Sequence, residues 1–223
     1  MKRQHTALTR STQAVPPRDT DKNEMLNEAP NAASSRILWI DGVGGFLLVD
    51  RQEVVIGQAT ASSKADIAIV GDLSRQAAAI RRTESDYLLQ PLQPTQVDTV
   101  SIDRPLLLTD SATIQLGQRV QLEFSKPSPL SATACIKLSS MNRFKPNVDG
   151  ILLLADSCII GPNPGSHVAC PSWSKELLLF RNGEDWYFRT LDEVLVNGKP
   201  DKGQIALESG LRIQGEDFSL SVE

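Results

Sequence analysis

From Arg36 onward, large apolar residues come in short runs or alternate with polar ones, and Gly, Pro, Asp and Ser interrupt them every few positions. No segment holds apolar side chains at the three-and-four spacing of an amphipathic helix, so the pattern predicts an all-β chain. Strands are expected over residues 37–40, 46–49, 53–56, 66–70, 77–81, 87–90, 99–102, 113–116 and 120–124. These segments are short, partly β-branched and bounded by turn chemistry such as Asp41-Gly42. The stretch 76–80 carries a conflicting signal, because QAAAI also has good helix propensity. Residues 1–35 differ in texture. Beyond Leu8, Val15, Met25 and Leu26 they hold Thr, Ser, Gln, Asn, Pro and mixed charge, too little apolar surface to offset ordering entropy, and a disordered leader is expected there. Its Thr6, Thr9, Thr12 and Thr20 are candidate phosphorylation sites, and a phosphorylated leader that docks on its own chain is one conceivable use of them.

The pattern occurs twice. GFLLVDRQEVVIG, ending at Gly57, is echoed by GILLLADSCIIG, ending at Gly161. Residues 66–69 then match 167–170, and Leu73-Ser74-Arg75 matches Trp173-Ser174-Lys175 at nearly the same separation. The register continues through Ile80-Arg81 against Phe180-Arg181, Tyr87 against Tyr187, and 111–115 against 210–214. Arg36–Ile40 pairs with 133–138 by counting back. Two units follow, 36–130 and 131–223, joined at 126–130, where Pro127 and Pro129 interrupt strand pairing. Each unit has the size of a small β-sandwich.

Composition removes several classes of function. The net charge of -4, from 23 Lys plus Arg against 27 Asp plus Glu, is the wrong field for bulk affinity to nucleic acid or anionic lipid. No apolar run approaches the roughly 18 residues of a membrane span, and MKRQHTALTR lacks the apolar core of a secretory signal. The three cysteines, Cys135, Cys158 and Cys170, are too few and odd in number for a disulfide framework, which fits a reducing, cytoplasmic setting.

A strand closing on Ile-Gly, a polar loop, an Asp-Ile-x-Ile strand and then Leu-Ser-Arg resembles the forkhead-associated (FHA) domain, and the resemblance covers essentially everything after residue 36. That family's pattern runs Gly-Arg, Ser-x-x-His, Asn-Gly elements and a closing Gly-Asp-x-Ile-x-Leu-Gly hairpin. The counterparts are Gly57, Ser74, Ile102-Asp103 and 111–117 in the first unit, and Gly161, Ser174, Val196-Asn197-Gly198 and 210–215 in the second. The resemblance implies tandem sandwiches of about eleven strands each, with phosphothreonine peptides bound by loops at one end and no enzymatic activity.

A phosphate dianion calls for paired donors: a guanidinium fork, a hydroxyl and often a backbone N–H. In the family the Arg after the Gly supplies the fork. Here Gln58 follows Gly57 and Pro162 follows Gly161, and the His position is taken by Ala77 and Leu177. Gln58, Ser74 and Arg75 are the candidate phosphopeptide-binding residues of the first unit, with Ser174, Lys175 and Asn197 as weaker counterparts. The expected function is a non-catalytic protein–protein interaction or scaffold protein with weakened or lost phosphothreonine-peptide binding. The partner is a protein or a phosphothreonine peptide, with no cofactor, metal, nucleic acid or membrane insertion. One alternative is an active phosphothreonine reader in Ser/Thr kinase signalling, drawing substitute charge from Arg75, Arg81, Arg82 or Lys64. Another is a metal-dependent hydrolase using His167 with Cys158 and Cys170. The cysteine spacing argues against structural zinc, because no close pair is present. Gly42-x-Gly44-Gly45 has no following helix and reads as a hairpin turn rather than a phosphate loop. Trp39, Trp173 and Trp186 are expected to pack the sandwiches, with Trp173 the one whose exposure matters because it adjoins Ser174.

Overall fold

A computed structural model describes residues 36–223; the leader at 1–35 and its threonines lie outside the described residues. The first repeat forms β1 (Arg36–Ile40), β2 (Gly44–Val49), β3 (Glu53–Gln58), β4 (Ile67–Val70), β5 (Ala78–Thr83), β6 (Asp86–Pro91), β7 (Thr95–Val97), β8 (Val100–Ile102), β9 (Leu106–Leu107), β10 (Ser111–Leu116) and β11 (Val120–Ser125). The second forms β12 (Ala134–Leu138), β13 (Arg143–Lys145), β14 (Gly150–Leu153), β15 (Ser157–Gly161), β16 (Val168–Ala169), β17 (Leu177–Asn182), β18 (Asp185–Val196), β19 (Lys199–Ala206), β20 (Arg212–Gln214) and β21 (Ser219–Val222).

Every strand expected over residues 37–124 is present, and within that stretch β7 and β9 are additional. Both additions are too short to show alternation, with three and two residues. The QAAAI stretch resolves as strand: Ala78 and Ile80 pair with Ile56 and Val54 and are fully packed, so burial on a pleated face overrides helix propensity.

Six strands form one sheet in the order β13-β4-β3-β5-β6-β9, and the remaining fifteen form a second, long sheet. The long sheet runs β16-β15-β17-β18-β20-β21-β1-β2-β14-β12-β11-β10-β7-β8, with β19 beside β18. One half of it packs on the six-stranded sheet around the first core; the other half folds over itself around the second. The fold-over is made by β18, a twelve-residue strand whose register shifts between Thr190 and Val194. A bulge of this kind bends the strand and lets it serve both layers. In the first repeat, Pro91 and Pro94 fall near the corresponding place, and β6 and β7 are separate strands in different sheets.

At the centre lie β1, β2, β14 and β12. Here β2 pairs with β14 in parallel, Phe46 opposite Gly150 through Val49 opposite Leu153. Successive side chains on a strand point to opposite faces. Leu47, Val49, Ile151, Leu153, Ala134 and Ile136 therefore enter the first core, while Phe46, Leu48, Leu152, Leu154, Cys135 and Leu38 enter the second. Burial on both faces explains why GFLLV and GILLL read as unbroken apolar runs.

The repeats also exchange edges. β1 pairs with β21 at the far end of the chain, β12 pairs with β11, and β13 pairs with β4. Polar contacts follow the exchange: Tyr87 donates its hydroxyl to the Ala132 carbonyl at 2.7 Å, and Asp50 accepts from Trp186 Nε1 at 2.8 Å and pairs with Arg181. Residue 130 marks the repeat in sequence, but the packing crosses it in both directions, with Phe144 and Val148 in the first core and Leu38 and Ile40 in the second. Among the described residues no helix is long and apolar enough to cross a membrane.

Residues 36–130 and 131–223 expressed separately should each fail to fold, because each would leave one face of its central strands bare; co-expression should restore a one-to-one complex. Dispersed amide NMR spectra from either half alone would show that the exchange is dispensable.

Candidate functional site

At the end of β3 the backbone of the 71–76 loop crosses directly over Gly57. A Cβ placed on Gly57 would lie 2.0 Å from the Arg75 carbonyl oxygen, so only glycine lets the loop approach. Gly161 is in the same situation, with Glu176 Cα at 3.0 Å and Cγ at 2.8 Å from such a Cβ. The Ile-Gly pair common to both repeats thus has one physical cause: a Ser-bearing loop rests on it.

Gln58 holds this loop. Its backbone N–H donates to the Ser74 carbonyl at 3.0 Å and its side-chain Nε2 to the Gly71 carbonyl at 3.1 Å. The Ser74 N–H donates to Gln93 Oε1 at 2.9 Å, and the Ser74 side chain is exposed. Arg75 is exposed and makes no ion pair among the described residues. The structure therefore brings Gln58, Ser74 and Arg75 together, with Gln58 spent on positioning the loop. It separates Arg81 and Arg82 from them: Arg81 lies opposite Glu53, and the Arg82 N–H donates to the Gln52 carbonyl, both at the opposite end of β3. Lys64 is exposed in the loop between β3 and β4. Sequence reasoning did not single out Gln93, since a lone glutamine between prolines carries no motif.

In the second sandwich the same position is filled from within. Asp217 accepts hydrogen bonds from both the N–H and the hydroxyl of Ser174, and these bonds hold its carboxyl below the usual range. The Lys175 ammonium pairs with Asp192 at 2.5 Å, which raises it above its ordinary value. The pair borders a cavity of about 340 Å³ whose charged lining includes Glu176, Asp192, Glu193, Glu216 and Asp217. A dianion meets repulsion there.

Asn197 has a turn role. Its φ is 49°, Gly198 follows at 79°, and its side-chain oxygen accepts from the Arg212 N–H at 2.9 Å. Asp98 does the same in the first sandwich, with φ 48°, Thr99 at 73°, and Oδ1 accepting from Thr113 N–H at 2.8 Å. The first-unit counterpart of Asn197-Gly198 is therefore Asp98-Thr99 and not Ile102-Asp103, because the turn selects for positive φ and a local acceptor rather than for the letters Asn-Gly.

His167 and the cysteines are structural parts of the second core. His167 Nδ1 accepts from the Ile159 N–H at 2.9 Å, and burial lowers the imidazole's affinity for a proton. Burial pushes the Cys135 and Cys170 thiols up to about 11 and raises Cys158 further. A cysteine ligates a metal as the thiolate, and among the described residues no three His, Cys, Asp or Glu side chains gather as a metal set. Trp173 is buried and stacks on Phe218, ring centroids 4.7 Å apart.

Comparison with known proteins gives no matching family model and no matching curated protein. Among solved structures, the chain is similar to the FHA domain of FhaA in its complex with the intracellular domain of Rv3910. The identity is 25% and the TM-score 0.29, over 37% of this chain and 92% of that one. It is also similar to the FHA domain of Rv0020c, at 25% identity and a TM-score of 0.25, over 40% of this chain and 91% of that one.

Gly57→Ala should dislodge the Ser74-Arg75 loop and cost about 1–3 kcal/mol, the usual penalty of overpacking, read as a lowered urea midpoint. His167 supplies a pH test. An unfolded imidazole titrates near about 6.5, and the folded one lies lower. Between the two values the unfolded chain binds more protons, so stability present above about pH 6.5 is lost as pH falls toward the folded value. The urea midpoint should drop between pH 7.5 and 5 by more in the wild type than in His167→Gln; equal slopes would refute this role.

Proposed function

We propose that this chain is a non-catalytic protein–protein interaction protein of FHA type, in which the first sandwich retains weakened phosphothreonine-peptide recognition and the second has lost it. The supporting observation is the contrast between the two serines. Ser74 presents its side chain to solvent over a loop held by Gln58 and Gln93, whereas the donors of Ser174 are taken by Asp217. An incoming phosphate has a vacant hydroxyl in the first case and an occupied, acid-lined one in the second.

The absent fork sets the scale. A hydrogen bond to a charged group contributes about 1.5–3 kcal/mol, so losing the arginine fork weakens binding by roughly one to two powers of ten for each bond not replaced. What remains is a hydroxyl, an unpaired Arg75 and a rigid scaffold beneath them. We assign the work to the cytoplasm on cysteine usage, three free and buried thiols.

The test is fluorescence anisotropy of the full chain against a degenerate phosphothreonine peptide library and its unphosphorylated twin. Weak, phosphate-dependent binding that is lost in Ser74→Ala and retained in Ser174→Ala is the expected result. Indifference to phosphorylation in the wild type would remove the phosphate-reading part of the proposal.

A further inference from the structure

Three segments that each carry an exposed arginine come together beside the loop that carries Ser74. The meeting point is Gly71. A Cβ there would lie 2.5 Å from Asn142 Nδ2 and 3.1 Å from Val120 Cγ2, and the Gly71 carbonyl accepts from Gln58. Asn142 also donates to the Val70 carbonyl at 3.0 Å, and Arg143 pairs with Val70 in the β4–β13 ladder. The β10–β11 turn touches the same loop, since a Cβ on Gly117 would lie 3.7 Å from the Asp72 carbonyl oxygen. Arg75 is thus on the loop, Arg119 precedes Val120 on the turn, and Arg143 follows Asn142 on β13. All three are exposed and none forms an ion pair among the described residues, and the carboxylate of this loop is Asp72.

The second sandwich supplies an internal control. Its β20–β21 turn occupies the place of the β10–β11 turn and carries Glu216-Asp217 where the first carries Gln118-Arg119. There the turn reaches the Ser174 loop with a carboxylate and satisfies it. In the first sandwich the equivalent turn, which touches the loop at Asp72, carries a cation, and the Ser74 side chain is exposed. The equivalent turn thus carries charge of opposite sign in the two sandwiches.

We infer that Arg119 and Arg143 replace the guanidinium missing after Gly57 and, with Ser74 and Arg75, grip the phosphoryl group of a partner's phosphothreonine. The inference rests on the phosphate reading proposed above and names its donors. Arg143 comes from the exchanged strand β13, so the site of the first sandwich is built from both repeats. Guanidinium groups converging from separate backbones suit a dianion because each offers paired N–H donors.

The experiment uses the same two peptide libraries with full-length Arg119→Gln, Arg143→Gln, the double variant, and Arg81→Gln at the opposite end of the sandwich. Each single change should weaken phosphopeptide binding about tenfold and the double about a hundredfold. Arg81→Gln should bind as the wild type does, and thermal melting should be unaltered in all four. Arg143→Lys, which keeps charge without the fork, should fall between wild type and Arg143→Gln. If the wild type discriminates phosphate and Ser74→Ala abolishes binding, yet the double variant binds undiminished, the arginine assignment is overturned while the phosphate reading stands. A wild type that fails to discriminate overturns both.

Discussion

The parallel pairing of β2 with β14 is the constraint on which the rest of the molecule depends. A strand buried on one face alternates apolar and polar residues; one buried on both cannot. By seating two such strands side by side, the chain sends alternate residues of one ribbon into two cores, so that Leu47 and Phe46, neighbours in sequence, fill different sandwiches. Large buried side chains removed from such a ribbon cost about 2–5 kcal/mol each, and here the loss falls on both cores at once when the ribbon is disturbed. Two small sandwiches of this size bury a limited fraction of their surface singly; sharing a ribbon lets each use the other's strands as core.

The same exchange determines what stands at the first rim. β13 leaves the second repeat to pair with β4, and together with Asn142 just before it brings Arg143 beside Val70, where the Ser74 loop begins. The second sandwich gains no such strand, because the β1–β2 connection is a tight turn at Asp41-Gly42. An asymmetry in hairpin length between two copies of one pattern therefore becomes an asymmetry in rim charge. The electrostatics follow: a carboxylate bonded to Ser174 on one rim, exposed arginines on the segments around the Ser74 loop on the other.

The strands were legible in the sequence because period-two burial is local. The exchange was not, since β1 pairing with β21 rather than β11 leaves the alternation of Leu38 and Ile40 unchanged; both partners want the same apolar face. The unbroken runs at 45–49 and 150–154 were the available signal, as central strands buried on both sides read this way. At the site, Ser74 and Arg75 were legible from the Leu-Ser-Arg motif, and Gln58 from its place after Gly57. The turn at Asp98-Thr99 was missed because a side-chain acceptor and positive φ, not residue names, define it. The placement of the segments carrying Arg119 and Arg143 next to the Ser74 loop was beyond reach, because it depends on which turn packs on which loop.

Cores and rims answer to different physics, and this explains how two copies of one pattern diverge so far in charge while keeping one architecture. Ile114 and Ile213, fully buried just before the equivalent turns, are held by packing. Arg119 and Asp217, which follow on those turns, are exposed and cost the fold little by changing sign. Once Asp217 satisfied Ser174 internally, nothing in the second rim required an outside anion. The first rim has no such carboxylate on its turn, and its exposed serine lies on a rim whose exposed arginines have no ion-pair partner among the described residues.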